Sequence, residues 1–134
     1  MAEGNDIPPD IRAFIVQRID SVVQLELLLL LHANAARSWS ADEIARELRI
    51  EASAAQEQLD LLTSRGLLQL VDASARRFEY ASSNADQNAT MTRLAAEYAN
   101  RRVTMISFIY SKPTDTLRSF ADAFRLFRKE NNDG

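Results

Sequence analysis

The side chains able to carry covalent or acid–base chemistry are few and scattered. The chain has one histidine, His32, and no cysteine. Thiol catalysis, disulfides and cysteine-based zinc sites are thereby excluded, and a lone His32 ending a leucine-rich stretch is poor material for a metal site. The three glycines, Gly4, Gly66 and Gly134, lie too far apart to form a phosphate-cradling loop. Carboxylate pairs such as Asp42 and Glu43 fall where a helix begins, a placement that suits capping rather than proton transfer. No nucleophile has a base at a useful spacing. The expectation is a protein that is not an enzyme and that holds no cofactor and no metal.

The elements that carry these residues are mainly helical. The chain is 134 residues long, 46% apolar, with only 3 Gly and 3 Pro, a composition that suits one packed, helix-rich domain. The densest apolar runs, residues 27–31 and 103–110, fall far short of the roughly 20 residues a membrane span needs. The opening Met-Ala-Glu-Gly-Asn-Asp is acidic and polar, unlike a secretory signal. A cytoplasmic location is expected, and the missing cysteines suit its reducing interior. Net charge is -3, but it is unevenly spread. Residues 1–62 carry 5 Arg against 11 Asp and Glu, whereas residues 63–134 carry 11 Lys and Arg against 8 Asp and Glu. This is either an ordinary solvated surface or a basic face made late in the chain.

Residues 1–8 read as a disordered tail, and Pro8-Pro9-Asp10 opens a helix. Ile11, Phe14, Ile15, Ile19 and Val22 recur at helical spacing. The pattern runs on to about residue 34, as one bent helix or as two that meet near Asp20 and Ser21, with Ser21 as a cap. After a turn at 35–38 comes Ser40-Ala-Asp-Glu43, a capping box, with Trp39 and Ile44 in the two positions of a hydrophobic staple. A short helix from Ala41 to about Leu48 follows. A tight turn leads into a second helix, about 52–65, with Ala55, Leu59 and Leu62 as its buried stripe and Glu51 or Ser53 as its cap. Gly66 stops it. Leu67, Leu68, Leu70 and Val71 then read as a strand, residues 72–75 as a turn, and Arg76, Phe78 and Tyr80 as alternate positions of a second strand. A long helix over about 87–111 is broken by Pro113, and an amphipathic helix follows over about 115–129.

Two helices joined by a tight turn, a glycine and then a β-hairpin is the order of a winged helix-turn-helix. The stretch Trp-Ser-Ala-Asp-Glu-Ile-Ala-Arg-Glu-Leu-Arg-Ile, from Trp39, resembles the first helix and turn of bacterial winged-helix regulators of the MarR-like or PadR-like kind. Leu-Asp-Leu-Leu-Thr-Ser-Arg-Gly-Leu-Leu-Gln, from Leu59, is similar to the end of their recognition helix. The likeness spans about residues 22–82. It implies a mostly α fold with a small β-hairpin: a winged helix-turn-helix core at about 39–82, inside a domain of residues 9–112, flanked by N- and C-terminal helices. It also implies that the second helix enters the DNA major groove while the wing meets the neighbouring backbone. Carried over by position, Ser53, Ala54, Gln56, Glu57 and Asp60 face the groove. Arg49, Ser74, Arg76 and Arg77 serve as the wing and flanking contacts.

The residue types at these positions complicate that picture. Gln56 suits adenine and Glu57 can accept from cytosine. Yet residues 51–62 hold no Lys or Arg, while Glu51, Glu57 and Asp60 repel phosphate. Arg46, Arg49, Arg65, Arg76 and Arg77 can supply some of the cations that helix lacks. The helices over 9–34 and 87–111 are expected to build a homodimer; the alternative is that they fold back on the same chain and only enlarge its core. In residues 113–134, Phe120, Phe124 and Phe127 share one face ringed by Arg118, Arg125, Arg128 and Lys129; that face can pack on the core, dock in a protein partner's groove or lie on a membrane surface. The expected function is a dimeric, DNA-binding transcriptional regulator. The alternative is a protein-interaction module that has lost DNA binding and docks a partner through its C-terminal helix.

Overall fold

The computed structural model describes residues 7–81 and 83–111. Six helices and one hairpin follow in chain order: α1 (Pro9–Arg18), α2 (Val22–Ala33), α3 (Ala41–Leu48), α4 (Ala52–Ser64), β1 (Leu68–Asp72), β2 (Arg77–Tyr80), α5 (Ala85–Asn100) and α6 (Arg102–Ser111). Residues 9–34 resolve into two helices. Ile19 is extended, and the Ser21 hydroxyl accepts the Gln24 amide at 3.1 Å to start α2. Ile7 is buried and Pro8 caps α1, so these two residues belong to the fold rather than to the expected tail.

Helix α2 is the central post. Leu25, Leu27, Leu28 and Leu31 are fully buried, and α3, α4, β2, α5 and α6 all pack against it. An unbroken leucine run has no polar face, so such a helix is stable only when surrounded. Helix α3 begins with the expected capping box. Ser40 Oγ accepts the Glu43 amide at 3.3 Å, and Glu43 Oε1 accepts the Ser40 amide at 2.9 Å. Arg49 then adopts a left-handed conformation (φ 59°) and turns the chain into α4. The N-cap of α4 is Glu51, whose side chain makes no capping bond.

Gly66 ends the helical pair at φ 79°. A Cβ there would meet nothing within 4 Å, so the backbone conformation and not space calls for glycine. The hairpin pairs Leu68 with Tyr80 and Leu70 with Phe78, and an irregularity between Leu70 and Asp72 leaves Val71 as the extra residue. Trp39 joins β2 as a one-residue third strand, exchanging both backbone bonds with Phe78 at 2.7 and 2.8 Å. That bridge ties the start of α3 to the hairpin. The element order and this bridge make a winged helix-turn-helix, mostly helical, with helices on either side.

The long helix expected over 87–111 is two helices. Asn84 caps the first by accepting the Gln87 amide, and the chain bends at Arg101 (φ -134°, ψ 49°). The bend lets Met91 and Leu94 of α5 and Met105 and Ile109 of α6 all reach the core around α2. No Gly or Pro marks that position, which is why periodicity alone ran through it. The expected C-terminal helix, with Phe120, Phe124 and Phe127, lies outside the described residues.

Candidate nucleic-acid interface

Helix α4 buries Ala55, Leu59 and Leu62 against the core and turns its opposite face outward. Ser53, Glu57 and Asp60 are exposed, while Ala54 and Gln56 are half-buried. Arg46, in the last turn of α3, and Arg49, at its C-cap ahead of α4, are exposed. Neither enters an ion pair with a described residue. The outer face of α4 is thus acidic, and the exposed arginines precede it in the chain.

The wing turn is organised by Asp72. Its Oδ1 accepts the Ser74 hydroxyl at 2.9 Å and the Ala75 amide at 3.0 Å. These bonds, the backbone one first, hold the Asp72 carboxyl below its ordinary range. The turn ends at Arg76, which is left-handed (φ 51°). From there its guanidinium reaches back over α4. Nε donates to Gln56 Oε1 at 3.4 Å, and Nη2 lies 3.8 Å from Asp60 Oδ1. Gln56 Nε2 in turn donates to the same Asp60 oxygen at 2.9 Å. Wing and helix are therefore joined through one amide and one carboxylate.

Arg77, the adjacent residue, has a different fate. Its guanidinium points into the fold, donating to Ser38 Oγ and the Ser38 carbonyl at 2.9 Å each and to Glu43 Oε1 at 2.9 Å. The sequence-based placement of Arg77 on the wing surface thus differs from its observed contacts, which brace the α3 capping box. Glu43 is held below the ordinary carboxylate range by the Ser40 amide first, with the charges of Arg77 and Arg37 adding to the effect. Arg37 also stacks on Trp39, its guanidinium carbon 3.6 Å from the ring centroid.

The single histidine serves packing. His32 meets Tyr80 edge-on with ring centroids 4.9 Å apart, and burial lowers its pKa. Among the described residues no group of three or more His, Asp or Glu is placed to hold a metal ion. No described helix is long and apolar enough to cross a membrane.

No family model matches the chain, and no curated protein matches it. Among solved structures it is similar to the YusO protein from Bacillus subtilis, at 17% identity over 98% of this chain and 88% of that one, with a TM-score of 0.49. It is also similar to the adhesin competence repressor AdcR from Streptococcus pyogenes, at 18% identity over 93% and 94% of the two chains, with a TM-score of 0.43.

Sequence reasoning passed over one residue in particular. Gln24 is polar within a leucine-rich helix, and it is buried. A polar residue amid a fully apolar run is the signal that could have marked it.

Proposed function

We propose that this chain is a winged-helix, DNA-binding transcriptional regulator that works as a homodimer in the cytoplasm of a bacterium. The observation that carries the reading is the exposed outer face of α4 with Arg76 of the wing held beside it, at Gln56 and Asp60. In the proposed mode α4 enters the major groove. Ser53, Ala54, Gln56 and Glu57 face base edges, and Arg49, Ser74 and Arg76 meet phosphates. The arginine beside the carboxylate offsets the acidity that would otherwise hold α4 away from a phosphate backbone. Arg46 and Arg49, which precede that helix in the chain, supply two further cations. Arg77 contributes indirectly, by fixing the base of the wing to α3.

A dimer is supported by the large apolar residues left uncovered on α6, where Val103 is 75% and Tyr110 79% exposed. Two copies joined there would present two α4 helices to successive turns of a duplex. The second reading, a protein-interaction module, is favoured by the absence of Lys and Arg from residues 51–62 and by exposed Leu70 and Val71 on the wing.

The deciding experiment is an anisotropy titration of a labelled duplex of mixed sequence at several salt concentrations. DNA binding gives an affinity that falls linearly with salt on logarithmic axes. No binding at about 50 mM salt, where phosphate contacts are strong, would leave the protein-interaction reading in its place.

A further inference from the structure

Among the described residues Gln24 is the one buried polar side chain, 1% exposed, and every polar atom of its amide is used. Oε1 accepts the Asp20 amide at 2.8 Å and Arg65 Nη1 at 3.1 Å, while Nε2 donates to Gln58 Oε1 at 2.8 Å. Arg65 completes the cluster. Its Nη1 also donates to the Arg18 carbonyl at 2.6 Å, and its Nη2 to Asp20 Oδ2 at 2.7 Å. Its side chain is only 19% exposed. The cluster joins the corner between α1 and α2 to the middle of α4, at Gln58, and to its C-cap, at Arg65.

We propose that Gln24 and Arg65 are positioning residues that set the rotation and axial position of α4. Burial of Ala55, Leu59 and Leu62 keeps α4 on the core, but apolar contact is non-directional and tolerates small rotations and slides. Hydrogen bonds are directional. Gln58 and Arg65 are seven residues apart, two helical turns, so both lie on one face of the helix axis. Bonds at these two points fix the helix against turning and sliding together. Stability does not require such a cluster, because well-packed apolar residues can serve as well in its place. What the cluster adds is one defined geometry. Arg18 extends the tie outward, since its Nη1 donates to Gln87 Oε1 of α5 at 2.9 Å. The pose of α4 is thus referred to helices outside the helix-turn-helix.

The consequence for DNA rests on the proposed function; the restraint on α4 does not. The test uses the full chain with Gln24→Leu and Arg65→Lys. The first changes no charge and sits where no duplex reaches. The second keeps the charge but cannot span three acceptors. Each variant is read by hydrogen exchange and by affinity for a mixed-sequence duplex, at a temperature where melting curves show it folded. The expected result is faster exchange in α4 amides than in those of α3, with duplex binding weakened about fivefold. Uniform acceleration in all helices, with affinity unchanged, marks a merely structural cluster and overturns the inference. If the wild-type chain binds no duplex while α4 alone loosens in both variants, the proposed function fails and the positioning role stands. If α4 exchange is unchanged, the positioning role fails whatever the duplex does.

Discussion

Arg76 and Asp60 face one another across the groove between wing and helix, Nη2 to Oδ1 at 3.8 Å, both more than half exposed. An exposed pair at this distance contributes little to stability, so its weight lies in where it holds a cation. Arg76→Ala is expected to leave thermal stability unchanged, weaken binding to a mixed-sequence duplex and flatten its salt dependence by about one counterion. Anisotropy titrations across salt read both effects; an unaltered slope would remove Arg76 from the interface.

Arg77→Ala is expected to act differently, although it changes the next residue. It strips Glu43 and the Ser38 carbonyl of their guanidinium partner and should cost about 1–2 kcal/mol of stability. The salt slope of duplex binding should stay as in the wild type. Urea denaturation beside the anisotropy assay separates the two arginines.

The capping box makes stability pH-dependent. Glu43 has its pKa lowered from the ordinary value of 4.5, chiefly by the Ser40 amide. A carboxylate depressed in the folded state adds stability above its unfolded pKa and loses it as pH falls through the folded one. Urea midpoints should therefore decline as pH drops below about 4.5. Glu43→Gln should lower the midpoint at neutral pH and flatten that decline. An equally steep decline in the variant would assign it to other carboxylates.

Gly66→Ala tests the stop between α4 and the wing. Since a Cβ meets no atom there, the cost is conformational alone and should be about 1 kcal/mol. Thermal melting gives the value; a neutral substitution would mean that the turn relaxes to negative φ.

The apolar surface of α6 predicts an assembly. Light scattering should return about twice the monomer mass of 15.1 kDa, and Val103→Asp with Tyr110→Asp should return one monomer mass. A wild-type monomer at high concentration would end the homodimer proposal.

The sequence by itself determined what is local. Ser40 and Glu43 bond within one turn of helix, Gly66 needs only its own φ, and the alternation through Phe78 and Tyr80 follows from the two-residue repeat of a strand. Each depends on atoms a few residues apart, so the residue types suffice. The buried stripe of Ala55, Leu59 and Leu62 was legible for the same reason, whereas one bent helix and two helices meeting at Ser21 fitted residues 9–34 equally well. Tertiary structure alone decided the rest. Arg76 and Arg77 are alike in sequence, and the strand pleat together with the left-handed turn sends one to Asp60 and the other to Glu43. The bend at Arg101 carries no local mark and follows from fitting two helices around α2. Gln24 meets Gln58 and Arg65 across 34 and 41 residues of chain, a separation at which spacing carries no information. Residue types named the acidic helix and the available cations; only the folded chain set Arg76 beside that acidity and anchored α4 through Gln24.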